Sequence, residues 1–110
     1  MAHLPKTYLN IMERHPAFIA AVEALGETVL QAGPLDAKTA QLIQLAAAAA
    51  VHSEGSVKSH ARRARKAGAT EEELAHTLIL LTSTIGFPTV AAALSWVEVD
   101  TSPAWVSECA

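Results

Sequence analysis

Most side chains with the type and spacing to do chemistry fall in one stretch, His52-Ser53-Glu54-Gly55-Ser56-Val57-Lys58-Ser59-His60. Ser53, Ser56 and His60 stand three and four residues apart. A helix opening at Ser53 would set all three along one face of its first two turns. Polar groups there meet unpaired backbone N–H groups, a setting that suits an anion or a developing oxyanion. A histidine, with an ordinary pKa of about 6.5, moves a proton there near neutral pH. Glu54 and Lys58 flank this face and are candidate substrate-binding residues.

Each of these residues also has a plainer use. Ser53 has the type of an ordinary N-cap. Ser56 can satisfy local backbone, and a lone His60 can be solvated or bonded into a core. Gly55 at a helix start costs about 1 kcal/mol relative to Ala. A close neighbour or ligand would explain it, and so would a loop one residue longer.

Other chemistries lack their residues. Cys109 is the single cysteine, so no disulfide, zinc cluster or CxxC redox pair forms within the chain. His52 and His60 are eight apart and His76 has no carboxylate–histidine partner nearby in sequence, which argues against a metal site. Gly-rich phosphate loops and Gly-x-Ser-x-Gly elbows are absent, so no cofactor is expected.

The elements that must position these residues read as all-α, with about six helices in one domain over 1–100 and a polar tail over 101–110. Period-two alternation is missing, and Ala, Leu and Glu dominate. A short helix is expected from about Lys6 to Arg14. A second runs from Pro16 to about Ala32, with Phe18, Ile19, Val22, Leu25, Val29 and Leu30 on its apolar face, and Gly33-Pro34 stops it. Asp36 caps a third, whose run Ala46–Ala50 makes a smooth cylinder that neighbours can approach closely. The fourth spans Ser53 to Gly68 through the basic cluster Lys58, Arg62, Arg63, Arg65 and Lys66, read as a solvated face whose members nearest His60 could draw an anionic substrate toward the site. Thr70-Glu71-Glu72-Glu73 is a capping box for a fifth, continuing through Leu74, Leu78, Leu81 and Ile85. The last begins near Pro88 and ends close to Val99. Trp96 and Trp105 read as packing or interface residues.

Composition narrows the partners. Apolar residues make up 51% of the 110 residues, too many for disorder and more than so small a domain buries alone. That excess points to a homo-oligomer. Residues 77–97 carry no charge, but Gly86-Phe87-Pro88 breaks the run and no Lys or Arg follows it, so no membrane span is expected. With a net charge of −3 and only one basic cluster, the chain lacks a nucleic-acid surface. The N-terminus has no signal-peptide core, and a reducing cytoplasm is the default location.

The order of these pieces resembles a known family. Leu35-Asp36-Ala37-Lys38-Thr39 leads into the Ala-rich helix, followed by a polar turn, His60, Lys66-Ala67-Gly68-Ala69-Thr70-Glu71-Glu72-Glu73-Leu74, and Ile85-Gly86-Phe87-Pro88 before a second Ala-rich helix. This is similar to the carboxymuconolactone decarboxylase family, which includes alkylhydroperoxidase D, over roughly residues 16–99. The resemblance implies a helical bundle assembled as a trimer or hexamer. Its peroxidase branch has a glutamate, a Cys-x-x-Cys twelve residues later, and a histidine four beyond the second cysteine. Carried over, those positions are Gln41, Ser53, Ser56 and His60, and only the histidine is kept. A serine hydroxyl cannot cycle through sulfenic acid and disulfide, so thiol peroxidase chemistry is excluded there.

The decarboxylase branch, which works without redox cysteines or a cofactor, is closer in Gly86-Phe87-Pro88 and the retained His60. By that resemblance the chain is a cofactor-free lyase or isomerase on a small anionic, carboxylate-bearing substrate. His60 would act as acid–base residue, with Ser53, Ser56 and Gln41 beside it. In that branch acidic residues tend to stand four or five before the histidine, where this chain has Ser56 and Gly55. The alternatives are a peroxidase relative that lost its cysteines and binds a ligand or partner, and an oligomer with no site at all.

Overall fold

The computed structural model describes residues 6–101, with side chains over 6–97, and Trp105, Cys109 and the tail from residue 102 lie outside them. The described residues are all-α, with no strand among them. Seven helical segments follow in order: α1 (Lys6–Arg14), α2 (Pro16–Leu30), α3 (Ala37–Ala50), α4 (Glu54–Lys66), α5 (Glu71–Ile79), α6 (Thr82–Ile85) and α7 (Phe87–Thr101). α6 is a single turn. The described residues form two compact units, one ending at Leu35 and the other beginning at Asp36.

In the first unit, Pro16 opens α2, where its fixed φ and missing N–H suit a first helical turn. The helix stops at Leu30, two residues short of the expected end, because Gln31 already takes the cap. The Tyr8 hydroxyl donates to the Glu23 carboxylate and ties α1 to α2.

The second unit is punctuated by side-chain caps. Asp36 accepts from the Thr39 N–H at 2.7 Å and starts α3. Thr70 and Glu73 form the reciprocal capping box of α5, and Glu73 also pairs with Lys38 of α3 at 3.0 Å. The Thr70 N–H, with Lys38 second, holds the Glu73 carboxyl below its usual range. α4 ends at Lys66. Gly68, at φ 103°, donates to Arg65 and Ala69 donates to Ala64, which closes a Schellman turn.

α3, α4, α5 and α7 enclose one core. Leu45, Val57, Leu74 and Leu78 fill its centre, while Ala48, Ala49, Ala61, Ala64 and Ala93 let the helices approach closely. Leu42, Leu81, Leu94 and Trp96 pack against that core. Arg65 binds three elements together. It pairs with Glu71 at the start of α5 at 2.9 Å and donates to the Val97 carbonyl of α7 at 3.3 Å.

The uncharged run over 77–97 is broken twice rather than once. Gly86, at φ 91°, separates α6 from α7 as its sequence predicts. An earlier break ends α5 at Ile79, so the expected continuous helix through Ile85 is corrected. The Thr82 hydroxyl takes the Ile79 carbonyl at 2.7 Å, a local bond that competes with helix propagation. No helix among the described residues is long and apolar enough to cross a membrane.

Candidate functional site

The turn between α3 and α4 builds the site. At the end of α3, His52 donates to Ala49 and Ser53 donates to Ala48, a second Schellman turn. Its left-handed position is held by His52 at φ 60°, where glycine is the usual residue. Ser53 then serves both helices. It closes α3 with its N–H and caps α4 with its hydroxyl, which accepts from the Ser56 N–H at 3.4 Å. A chain reversal this short runs α4 back along α3 and brings together residues far apart in sequence.

The consequence is a contact between Gln41 and His60. Gln41 of α3 is buried, 5% exposed, and its Oε1 lies 2.8 Å from Nδ1 of His60 on α4. Oε1 is a carbonyl-type oxygen and only accepts, so the proton between them sits on Nδ1. His60 is half-buried. Burial pushes its pKa below the ordinary 6.5, and the Arg63 guanidinium adds to that in the same direction. The site therefore favours a neutral imidazole with its lone pair on Nε2.

The remaining sequence candidates divide. Ser56 is half-buried and stands one helical turn before His60, on the same face. Ser53 uses its hydroxyl to cap α4. Glu54 and Lys58 pair with each other at 2.8 Å, one turn apart. Gly55 falls inside the first turn of α4, and a Cβ added there meets nothing within 4 Å, so neither a longer loop nor a close neighbour in this chain explains it. The basic cluster is not a single solvated face either, since Arg65 is drawn into the Glu71 and Val97 contacts. Groups of three or more His, Cys, Asp or Glu able to hold a metal ion are absent among the described residues.

Sequence reasoning took Arg63 only as part of a cluster able to draw an anion, and missed its effect on the His60 pKa. The signal was present in their spacing of three on one helix. It also missed His52, because histidine's enrichment at left-handed backbone is too weak to mark one position.

A family model described as the carboxymuconolactone decarboxylase family matches residues 16–99, which include Gln41, Ser53, Ser56 and His60. The chain belongs to the carboxymuconolactone decarboxylase family. A protein of Haemophilus influenzae, described as an uncharacterized protein, is 38% identical over 63 residues. That match covers 57% of this chain and 56% of the relative, so it spans just over half of each. No solved structure matches the chain. Membership gives a framework for the Gln41–His60 pair without assigning it a reaction.

Proposed function

We propose that this member of the carboxymuconolactone decarboxylase family is a cofactor-free lyase or isomerase acting on a small carboxylate-bearing molecule. His60 is its acid–base residue. The observation that carries this reading is the 2.8 Å contact between buried Gln41 and Nδ1 of half-buried His60, a ring whose uncharged form burial favours. A histidine kept in the ordinary solvated state would need no such buried partner. Ser56 lies on the same face as a hydroxyl donor for an oxyanion, and Arg63, one turn beyond His60, supplies positive charge for a substrate carboxylate.

Ultraviolet-monitored turnover of small lactone acids tests this function. Activity abolished by His60→Ala supports it, and full activity in that variant rejects the role of His60.

We further propose that the working form is a homo-oligomer, a trimer or hexamer, in the cytoplasm. Phe18, Val22, Leu25 and Val29 recur at helical spacing on α2 and are all exposed, with Phe18 at 60% and Leu25 at 63%. A stripe of this kind is what a second copy of the chain would cover.

The second reading is a peroxidase-type scaffold that lost its thiols. Its support is the Ser53 hydroxyl, which acts as a helix cap where the resemblance expects a redox sulfur. Placing Cys at 53 and 56 with Glu at 41 should then confer dithiol-dependent peroxide reduction. A folded triple variant without that activity counts against it.

A further inference from the structure

We propose that α2 pairs with the same helix of a second copy, antiparallel and across a two-fold axis. The pairing rests on the homo-oligomer reading given above and deepens it, because a two-fold contact used by every copy makes their number even.

Phe18, Val22, Leu25 and Val29 stand four, three and four residues apart, and all four are exposed. That spacing makes a narrow seam rather than a broad apolar face, the pattern by which two helices interlock. α1 occupies a different face of α2. There Ile19 is buried, and Glu23, one turn on, accepts from the Tyr8 hydroxyl. The face beside the seam is filled and the seam itself is left open.

The charges around the seam admit a copy of the same helix. α2 has no Lys or Arg, and its two acids would repel each other across a contact. Both lie off the seam. Tyr8 holds Glu23 toward α1, and helical spacing sets Glu27 on the side opposite the seam. The flanking Ala21, Gly26 and Thr28 are uncharged. A Cβ built on Gly26 meets nothing within 4 Å, so a second helix has room to approach there.

Side-chain sizes set the direction. A spacing of four, three and four reads the same both ways, so an antiparallel copy aligns every seam residue. Phe18 then lies opposite Val29 of the partner subunit, and Val22 lies opposite Leu25 of the partner subunit. Each layer joins a larger side chain to a smaller one. A parallel copy would stack Phe on Phe and Val on Val, crowding one layer and leaving gaps in the others. Opposed helix dipoles favour the antiparallel choice as well. The same patch serves both subunits, so a lone trimer is excluded. At fifteen residues α2 is about 22 Å long and about 10 Å wide, a footprint well short of the roughly 800 Å² per partner of a stable interface. The seam therefore works together with further contacts between the subunits.

The first test is the copy number of the full chain by native mass spectrometry, expected to be even. Three copies overturn the two-fold contact and leave the homo-oligomer reading standing, whereas a single copy overturns both. The second test places thiols on the seam in a Cys109→Ser background, which removes the native cysteine. With a short bis-maleimide, the double variant Phe18→Cys/Val29→Cys should crosslink two subunits and neither single variant should. In the antiparallel pair, equal positions at either end lie eleven residues apart, about 16 Å. Crosslinking of Phe18→Cys alone, or none in the double variant, overturns the antiparallel register.

A size exchange guards against variants that simply lose the contact. Phe18→Val should raise the concentration at which the assembly dissociates by about tenfold or more. Phe18→Val/Val29→Phe rebuilds the same layers with the two sides exchanged and should reverse most of that shift. A double variant of native helicity that dissociates as readily as Phe18→Val overturns the pairing.

Discussion

Oε1 of Gln41 and Nδ1 of His60 lie 2.8 Å apart although nineteen residues separate them in sequence. The contact depends on the tight reversal at Val51–Ser53, which sets α3 and α4 antiparallel. Local backbone chemistry in the turn thereby determines side-chain chemistry in the site.

The state of His60 makes stability depend on pH. Its folded pKa lies below the 6.5 expected of the unfolded chain. Between those two values the unfolded state binds more protons, so stability rises with pH across that window. The contribution is complete above about pH 6.5 and declines as pH falls toward and through the folded value. Urea midpoints of the wild type should therefore decrease on acidification from about pH 7.5 to 5.5. The part of that slope due to His60 should vanish in His60→Gln, and an unchanged slope contradicts this account.

His52 pays a steric penalty at φ 60° that a glycine would not. His52→Gly should stabilise the chain by about 0.5–1 kcal/mol, net of the extra entropy glycine loses on folding. Urea denaturation measures it. A loss of stability would mean that the imidazole makes a contact of its own.

Gly55 offers the converse case. With open space around its Cβ position, Gly55→Ala should gain about 0.5–1 kcal/mol of helix stability. If that gain is accompanied by lost activity, the glycine serves close approach of a substrate or a second copy. Thermal unfolding and turnover measured on the same preparation separate the two effects.

Much of the fold was legible because its caps use residues with unmistakable preferences. Asp36, the Thr70–Glu73 box, Gly68 and Gly86 all mark boundaries where their types predict them. The break after Ile79 was not legible, since Leu80 and Leu81 follow without glycine or proline and a threonine hydroxyl makes the interruption. α2 ended two residues early, capped at Gln31, while α4 closed on Gly68, the cap its type predicts. In the site, Ser53 as N-cap and the shared face of Ser56 and His60 follow from spacing alone. The Gln41 contact does not, because it depends on how α3 and α4 align. The spacing of Glu54 and Lys58 encoded an ion pair, although both were expected to face substrate.

The exposed stripe on α2 predicts a dependence of assembly on one side chain. Leu25 lies on that stripe and is 63% exposed. Leu25→Glu should leave helicity intact while reducing the oligomer to smaller species by light scattering. An unchanged mass in the variant would remove α2 from the interface.

The central claim is that His60 exchanges a proton with carbon. Incubation of small lactone acids in deuterium oxide, with and without protein, tests it most directly by proton NMR. The account predicts protein-dependent deuterium incorporation at carbon, lost in a folded His60→Ala variant and weakened in Gln41→Leu. Incorporation that persists undiminished in His60→Ala, or that never exceeds the protein-free rate, would contradict it.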